Sequence, residues 1–406
     1  MFKDISSFDK ATKYFLLSTV MMGLSNGLFD AVYNFYLEEN GVNKVDTGNI
    51  YAFAMFVMSI SVIPLIMLNN RFPTKNILIV SSFVYSLPFA ALPMTTDVLT
   101  SSIILACILS GMIALLSSGN ALFGAHVKED MKTTFFSAFF IAYLGAAMIG
   151  SFIVAGIVKY STASDNVNYK IILIMSFLLS LVMIIFRFYS IRDIGDLPKK
   201  NKNEIILKSI EWKNFIALFI SSFLLGASIT LVFRFANIIY SQAYSLDISD
   251  ISLVLGFDKI VSILGAIFAP IIVKKLQLKK TIFTIGALVF VILYSQSLEI
   301  TLSIFVLLYF VRLLLNYALM PLLDTLAITG FDSSRTLIST SIRQLSFYLG
   351  SAVSAVIYGY LLNDGNWKYS LILSGILAFI GSIFLLMIKE KKNDILNVQA
   401  SLVENK

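Results

Sequence analysis

Long uninterrupted apolar runs leave this chain few ways to fold. Twelve of them follow one another, at residues 14–37, 49–68, 77–94, 102–123, 135–158, 171–188, 215–239, 251–273, 281–298, 302–323, 337–362 and 371–388. Most are roughly 18 to 25 residues long, which is what an α-helix needs to cross about 30 Å of hydrocarbon. They are continuous in Leu, Ile, Val, Phe, Ala and Gly and do not alternate with period two, so helices are expected and a β-barrel is not. Composition agrees: 58% of the 406 residues are hydrophobic and 14% charged, with a mean hydropathy of +0.85. Lys10 and Lys13 before the first run imitate a signal peptide, but eleven further runs follow and no small-residue cleavage pattern precedes Glu38.

Charge placement predicts orientation. Lys44, Lys159, Lys170 and Lys368 fall on one side of the runs, and Arg234, Lys259, Arg312 and Arg343 fall inside them. The other Lys and Arg, with Arg187 grouped to the basic segment that follows it, cluster on the side of the N-terminus. The positive-inside rule then puts both termini in the cytoplasm of a multi-pass protein of a bacterial plasma membrane. The net charge of +7 reads as topology, which argues against a nucleic-acid partner.

The longest polar segment, residues 189–214, separates six runs from six. The expected organisation is a bundle at 1–188, a linker at 189–214, a second bundle at 215–388 and a tail at 389–406. Within the linker, "EIILKSIEW" has the pattern of a short interfacial helix with Ile205, Ile206, Ile210 and Trp212 on one face. No G-x-x-x-x-G-K-[ST] supplies an ATP site, and no loop is long enough for an enzyme domain. Lone Cys107 and lone His126 offer neither an internal disulfide nor a His-rich metal site, so no metal or cofactor is expected.

The halves resemble each other. At an offset of 203, "GLSNGLFDAVYN" from Gly23 falls on "GASITLVFRFAN" from Gly226, pairing Gly23 with Gly226, Leu28 with Leu231 and Asn34 with Asn237. At 205, "YLGAA" from Tyr143 falls on "YLGSA" from Tyr348 and pairs Gly145 with Gly350. Internal duplication of this kind marks secondary transporters.

Twelve runs in two similar halves, with "IMLNNRFPTKN" between the second and third, resemble the major facilitator superfamily over essentially the whole chain. That family typically carries G-x-x-x-D-R-x-G-R-[RK] in this loop; Arg71 and Lys75 match it, while Asn70 replaces the aspartate and Pro73 the glycine. Cys107 stands where drug/proton antiporters of the family carry an arginine before a glycine, here Gly111. Their glycine-proline signature in span five is reduced to Gly145, Ala146 and Gly150. The resemblance implies an all-α membrane protein of twelve transmembrane helices in two pseudo-symmetric six-helix bundles, acting as a monomer. It also implies a structural or gating part for Arg71, Lys75, Gly145 and Gly350.

Ionisable residues at membrane depth are costly and therefore face a cavity or a partner. They are Asp30, Arg234, Asp258, Lys259, Arg312 and Arg343, with Asp324 near the end of span ten. Arg234 with Asp258, in the outer half of two neighbouring spans, and Arg343 with Asp324, in the inner half of another two, are either structural ion pairs or part of the site. Arg312 either lines a cavity or pairs with Asp30. In proteins of the resembled fold, spans one, four, seven and ten line the central cavity, which places Asp30, Arg234 and Arg312 within reach of cargo. Asp30 resembles the first-helix acid that takes the proton in several antiporters of the family, and its depth in the apolar run argues for burial. Tyr33, Asn34, Asn237 and Asn316 lie on the same spans and either bind cargo or join helices.

Three functions fit. One is a proton-coupled exporter of a small amphiphilic or anionic organic solute, and this is the reading we carry forward. Another is a proton-coupled importer of a sugar, peptide or organic acid. A non-transporting sensor would ask for a larger soluble segment than the tail after residue 388.

Overall fold

The computed structural model describes residues 8–128, 131–192, 194–195, 212–276, 278–329, 331 and 336–388. The first six helices are α1 (Lys10–Glu39), α2 (Lys44–Arg71), α3 (Thr74–Ser86), α4 (Val98–His126), α5 (Lys132–Tyr160) and α6 (Asp165–Ile191). The next six are α7 (Trp212–Tyr244), α8 (Ile248–Leu276), α9 (Leu278–Ser297), α10 (Leu302–Thr329), α11 (Thr336–Asn363) and α12 (Trp367–Leu386). Among the described residues, eleven are long and apolar enough to cross a membrane. In α8, Asp250, Asp258 and Lys259 lie in the first half. The interfacial helix expected within 204–212 lies outside the described residues, except that Trp212 opens α7.

Helix ends follow local chemistry. Asp9, Asn43 and Asp97 precede α1, α2 and α4, and each side chain accepts a hydrogen bond from a backbone N–H of the first turn. The third span is not uniformly α-helical: after Ser86 it tightens into two 3₁₀ turns, Leu87–Ala90 and Leu92–Met94, each with a proline at its start. Pro88 and Pro93 have no N–H for the α-helical ladder, and a 3₁₀ turn accommodates them.

The exposure pattern is that of a protein solvated by lipid. Val80, Met67, Leu99 and Phe56 are exposed, while Ser25, Ser82, Ser176, Ser228 and Ser374 are buried. Between membrane helices apolar burial supplies little drive, so close backbone approach and interhelical hydrogen bonds carry the packing.

By packing, the chain forms two compact units, which do not divide by sixes. The first joins α1–α6 with Phe233–Ile263 and Ala355–Trp367. In it α1 lies against α5 so closely that a Cβ on Gly23 or Gly27 would strike the Tyr143 or Ala147 carbonyl. Ser25 and Ser176 donate to each other's carbonyls at 2.8 and 2.7 Å, joining α1 to α6. Two further crossings bring in the second half of the chain. Gly48 of α2 meets Gly359 of α11, where a Cβ on Gly48 would lie 2.9 Å from the Gly359 Cα. Ser249 of α8 donates to the Ala155 carbonyl of α5 at 3.2 Å.

The second unit contains α9 and α10, with Ile205–Val232, Leu264–Ser354 and the chain from Lys368 onward. Here Gly226 of α7 abuts the Phe347 carbonyl of α11, and Gly350 of α11 abuts the Phe223 carbonyl of α7. Ser374 of α12 donates to the Ser228 carbonyl at 2.9 Å. These contacts repeat those of the first unit at offsets of about 200: Gly23 with Tyr143 becomes Gly226 with Phe347, and Ser25 with Ser176 becomes Ser228 with Ser374. The duplication read from short matches therefore also holds in the packing of its glycines and serines.

Candidate functional site

The first unit contains a polar cluster built on α1 and α7. Asp30, Tyr33 and Asn34 are three and four residues apart on α1, hence on one side of the helix, and Arg234 and Asn237 are three apart on α7. Asp30 lies nine residues before Glu39, roughly 14 Å in from that helix end.

Arg234 Nη1 reaches Asp30 Oδ1 at 3.2 Å. The Asn34 amide donates to the Arg234 carbonyl at 2.6 Å and to Asn237 Oδ1 at 2.9 Å. From α2, Tyr51 donates its hydroxyl to Asn34 Oδ1 at 2.9 Å, and its ring lies 5.5 Å below the Arg234 guanidinium. Tyr33 is buried against Phe29 and Tyr51. Asn34 and Asn237, which correspond in the repeat, are thus bonded directly to each other.

The ion pair is unequally solvated: the Asp30 side chain is 40% exposed and that of Arg234 14%. The carboxylate is the open end of the pair and the cation its sheltered end. This corrects the expectation that Asp30 is buried, and the pairing expectations change with it. Asp30 takes Arg234, and Arg234 takes Asp30 and not Asp258. Asp258 pairs with its neighbour Lys259 at 2.9 Å. The fold sets Arg234 of α7 beside Asp30 of α1, and that height match is not recorded in either run.

In the second unit Asp324 of α10 pairs with Arg343 of α11. Arg312, 2% exposed, has its guanidinium 5.3 Å over the Tyr309 ring, and Asn316 follows one turn later, also buried. Of the remaining expected residues, Arg71 is exposed at the end of α2 and Lys75 half-buried at the start of α3. Gly350 sits at a tight crossing, but a Cβ on Gly145 would meet only open space. Gly145 therefore permits no close approach, and Gly150, 2.7 Å from the Leu24 carbonyl by the same measure, does so one to two turns later.

Three participants escaped the sequence reading. Tyr51 sits near the start of α2 with nothing in its neighbours to single it out. Arg187, grouped with the linker, is instead 2% exposed inside α6, with its guanidinium 4.3 Å over the Phe15 ring of α1. Its place inside the run 171–188 was the available signal. Asp9 holds His126 at 2.8 Å, tying the start of α1 to the end of α4. Partial burial pushes the Asp9 carboxyl up, but hydrogen bonds from Thr12 and His126 outweigh it and leave the group below its ordinary value.

A duplicated helical bundle spanning a membrane, with charged and amide side chains bonded across its repeats at depth, defines the class: a transport protein of the secondary-carrier type. The family model described as Major Facilitator Superfamily matches residues 15–295 and 218–402. The chain belongs to the major facilitator superfamily. A sequence search of curated proteins found none that matches. Among solved structures it is similar to a mutant of the nucleoside transporter NupG, with 12% identity, a TM-score of 0.76, and 94% of this chain and 100% of that one covered. It is also similar to the POT family transporter PepTSo, at 11% identity and a TM-score of 0.74, covering 94% and 98%. A bacterial homologue of the iron transporter ferroportin in an inward-facing state gives 14%, 0.73, 94% and 98%. At such identities the likeness establishes the fold.

Proposed function

We propose that this transporter exports a small amphiphilic or anionic organic solute in exchange for protons. The observation that carries the coupling is the Asp30–Arg234 pair, a partly exposed carboxylate bonded to a sheltered guanidinium on another helix. Protonating Asp30 cancels the attraction that joins α1 to α7 there and leaves the Asn34 bonds as the remaining polar link. A proton on Asp30 thereby loosens the site, and its departure tightens it. Coupling of this kind needs no ATP.

The anionic cargo rests on Arg312 and Asn316, one turn apart on α10 and both buried. A guanidinium keeps its charge at every physiological pH and offers a planar fork to a carboxylate, sulfonate or phosphate. It suits anion binding and is a poor proton carrier.

The test is proton flux in proteoliposomes containing a trapped pH dye, challenged with aryl sulfonates, dipeptides and lipophilic cations under an imposed pH gradient. Aryl sulfonates are expected to move protons in the opposite direction. Asp30→Asn should abolish accumulation against a gradient and retain downhill exchange. Gradient-driven accumulation by Asp30→Asn at the parent level would remove Asp30 as the proton site, and flux driven by lipophilic cations alone would remove the anionic cargo.

A further inference from the structure

Within the first unit, below the crossing where Gly111 of α4 packs 2.5 Å from the Tyr85 backbone nitrogen of α3 by the Cβ measure, α2, α3 and α4 diverge. They leave a cleft of about 550 Å³ lined by Pro64, Leu65, Leu68, Phe72, Val80 and Ala114, among others. The outer lining is lipid-facing: Leu68, Phe72 and Val84 are exposed, and Val80 is 60% so. Deeper in, Ser61 donates to the Val57 carbonyl at 2.7 Å and to Ser110 Oγ at 3.2 Å. These hydroxyls serve the helices and leave little for a polar guest.

The end of the cleft nearest the α2–α3 turn has a different character. There Phe72 and Asn76 line it. The Arg71 guanidinium lies 5.7 Å over the Phe72 ring, and Lys75 stands between these lining residues in sequence. The cleft is thus an apolar slot of ligand size, with Arg71 stacked on one of its lining rings and Lys75 next to its lining residue Asn76 in sequence.

We infer that this cleft holds one anionic phospholipid of the surrounding bilayer, an acyl chain between α2, α3 and α4 and the phosphate at Arg71 and Lys75. Apolar matching retains the chain, and the cations select the headgroup. A bound lipid there fills the wedge between α2 and α3 that direct helix packing leaves open. The site is separate from the Asp30–Arg234 cluster and does not depend on the cargo or its direction.

The purified full chain is reconstituted in nanodiscs of phosphatidylglycerol and phosphatidylcholine, re-extracted in mild detergent, and its retained lipid measured by mass spectrometry. The parent is expected to keep about one phosphatidylglycerol per chain. Ala114→Phe, which fills the cleft, should lower retention at least fivefold. Val80→Trp fills it from a lipid-exposed position and serves if Ala114→Phe does not fold, as judged by size-exclusion profile and melting temperature. Arg71→Gln should leave total lipid unchanged and lower the phosphatidylglycerol preference about fivefold, the effect of one basic side chain near an anionic headgroup. Parent-level retention in a folded filled variant overturns the inference. So does equal retention of phosphatidylcholine by the parent, or recovery of a non-phospholipid amphiphile in place of the lipid.

Discussion

Asp30 and Arg234 are worth more as a pair than either is alone. Removing one partner leaves the other's charge at membrane depth without its counter-ion, and a sheltered guanidinium suffers more from this than a partly exposed carboxylate. Asp30→Asn, which strands the sheltered guanidinium, is therefore expected to lower stability more than Arg234→Gln does, and both should uncouple transport. Asp30→Asn/Arg234→Gln should recover stability relative to Asp30→Asn but not coupled transport, as measured by melting temperature and gradient-driven uptake. Arg312 belongs to the cargo reading: Arg312→Lys keeps the charge and loses the fork, so anion transport should fall on the order of tenfold at normal expression. Normal anion transport by Arg312→Ala would make that arginine structural. At Asp9 the sign is fixed by a lowered carboxyl. Its stabilising contribution is complete above the unfolded value of about 3.9 and disappears as pH falls through the lower folded value. Asp9→Asn keeps the helix cap and removes the charge, so its melting-temperature deficit should close as pH falls below about 4.

Helix packing turns on where a side chain is forbidden. Gly350 and Gly226 abut the backbones of their partner helices, so Gly350→Val is expected to cost about 1–3 kcal/mol by overpacking and to lower the melting temperature with it. Gly145, its counterpart in the repeat, faces open space. There Gly145→Ala should be neutral or stabilise the helix by up to about 1 kcal/mol. Equal losses from the two substitutions would contradict this difference in packing. The third span shows another element-level effect, since its two prolines convert the end of an apolar run into 3₁₀ turns without removing its capacity to span.

At the scale of the molecule, two repeats meet through residues that correspond in sequence, Asn34 and Asn237. Alternating access requires such a contact to open once per cycle. In a Cys107→Ser background, Asn34→Cys/Asn237→Cys joined by a short thiol crosslinker should stop transport, and reduction of a cleavable linker should restore it. Transport at the parent rate by the fully crosslinked protein would show that this contact stays closed throughout the cycle.

The helices, their number and their membrane setting were legible in the sequence, because hydrocarbon leaves a chain no other way to satisfy its backbone and run length alone counts the crossings. The duplication was legible at Gly23, Gly226, Asn34 and Asn237, where close approach or hydrogen bonding restricts the residue type. Partnership was not. Asp30 with Arg234, Tyr51 with Asn34, the burial of Arg187 and the openness around Gly145 depend on the heights and rotations at which separate helices meet. Those are set by many weak side-chain contacts distant in sequence, and no single run of residues records them. Apart from Arg187, the residues that carry charge into the membrane could be named from the sequence; which of them face one another was decided by the tertiary structure.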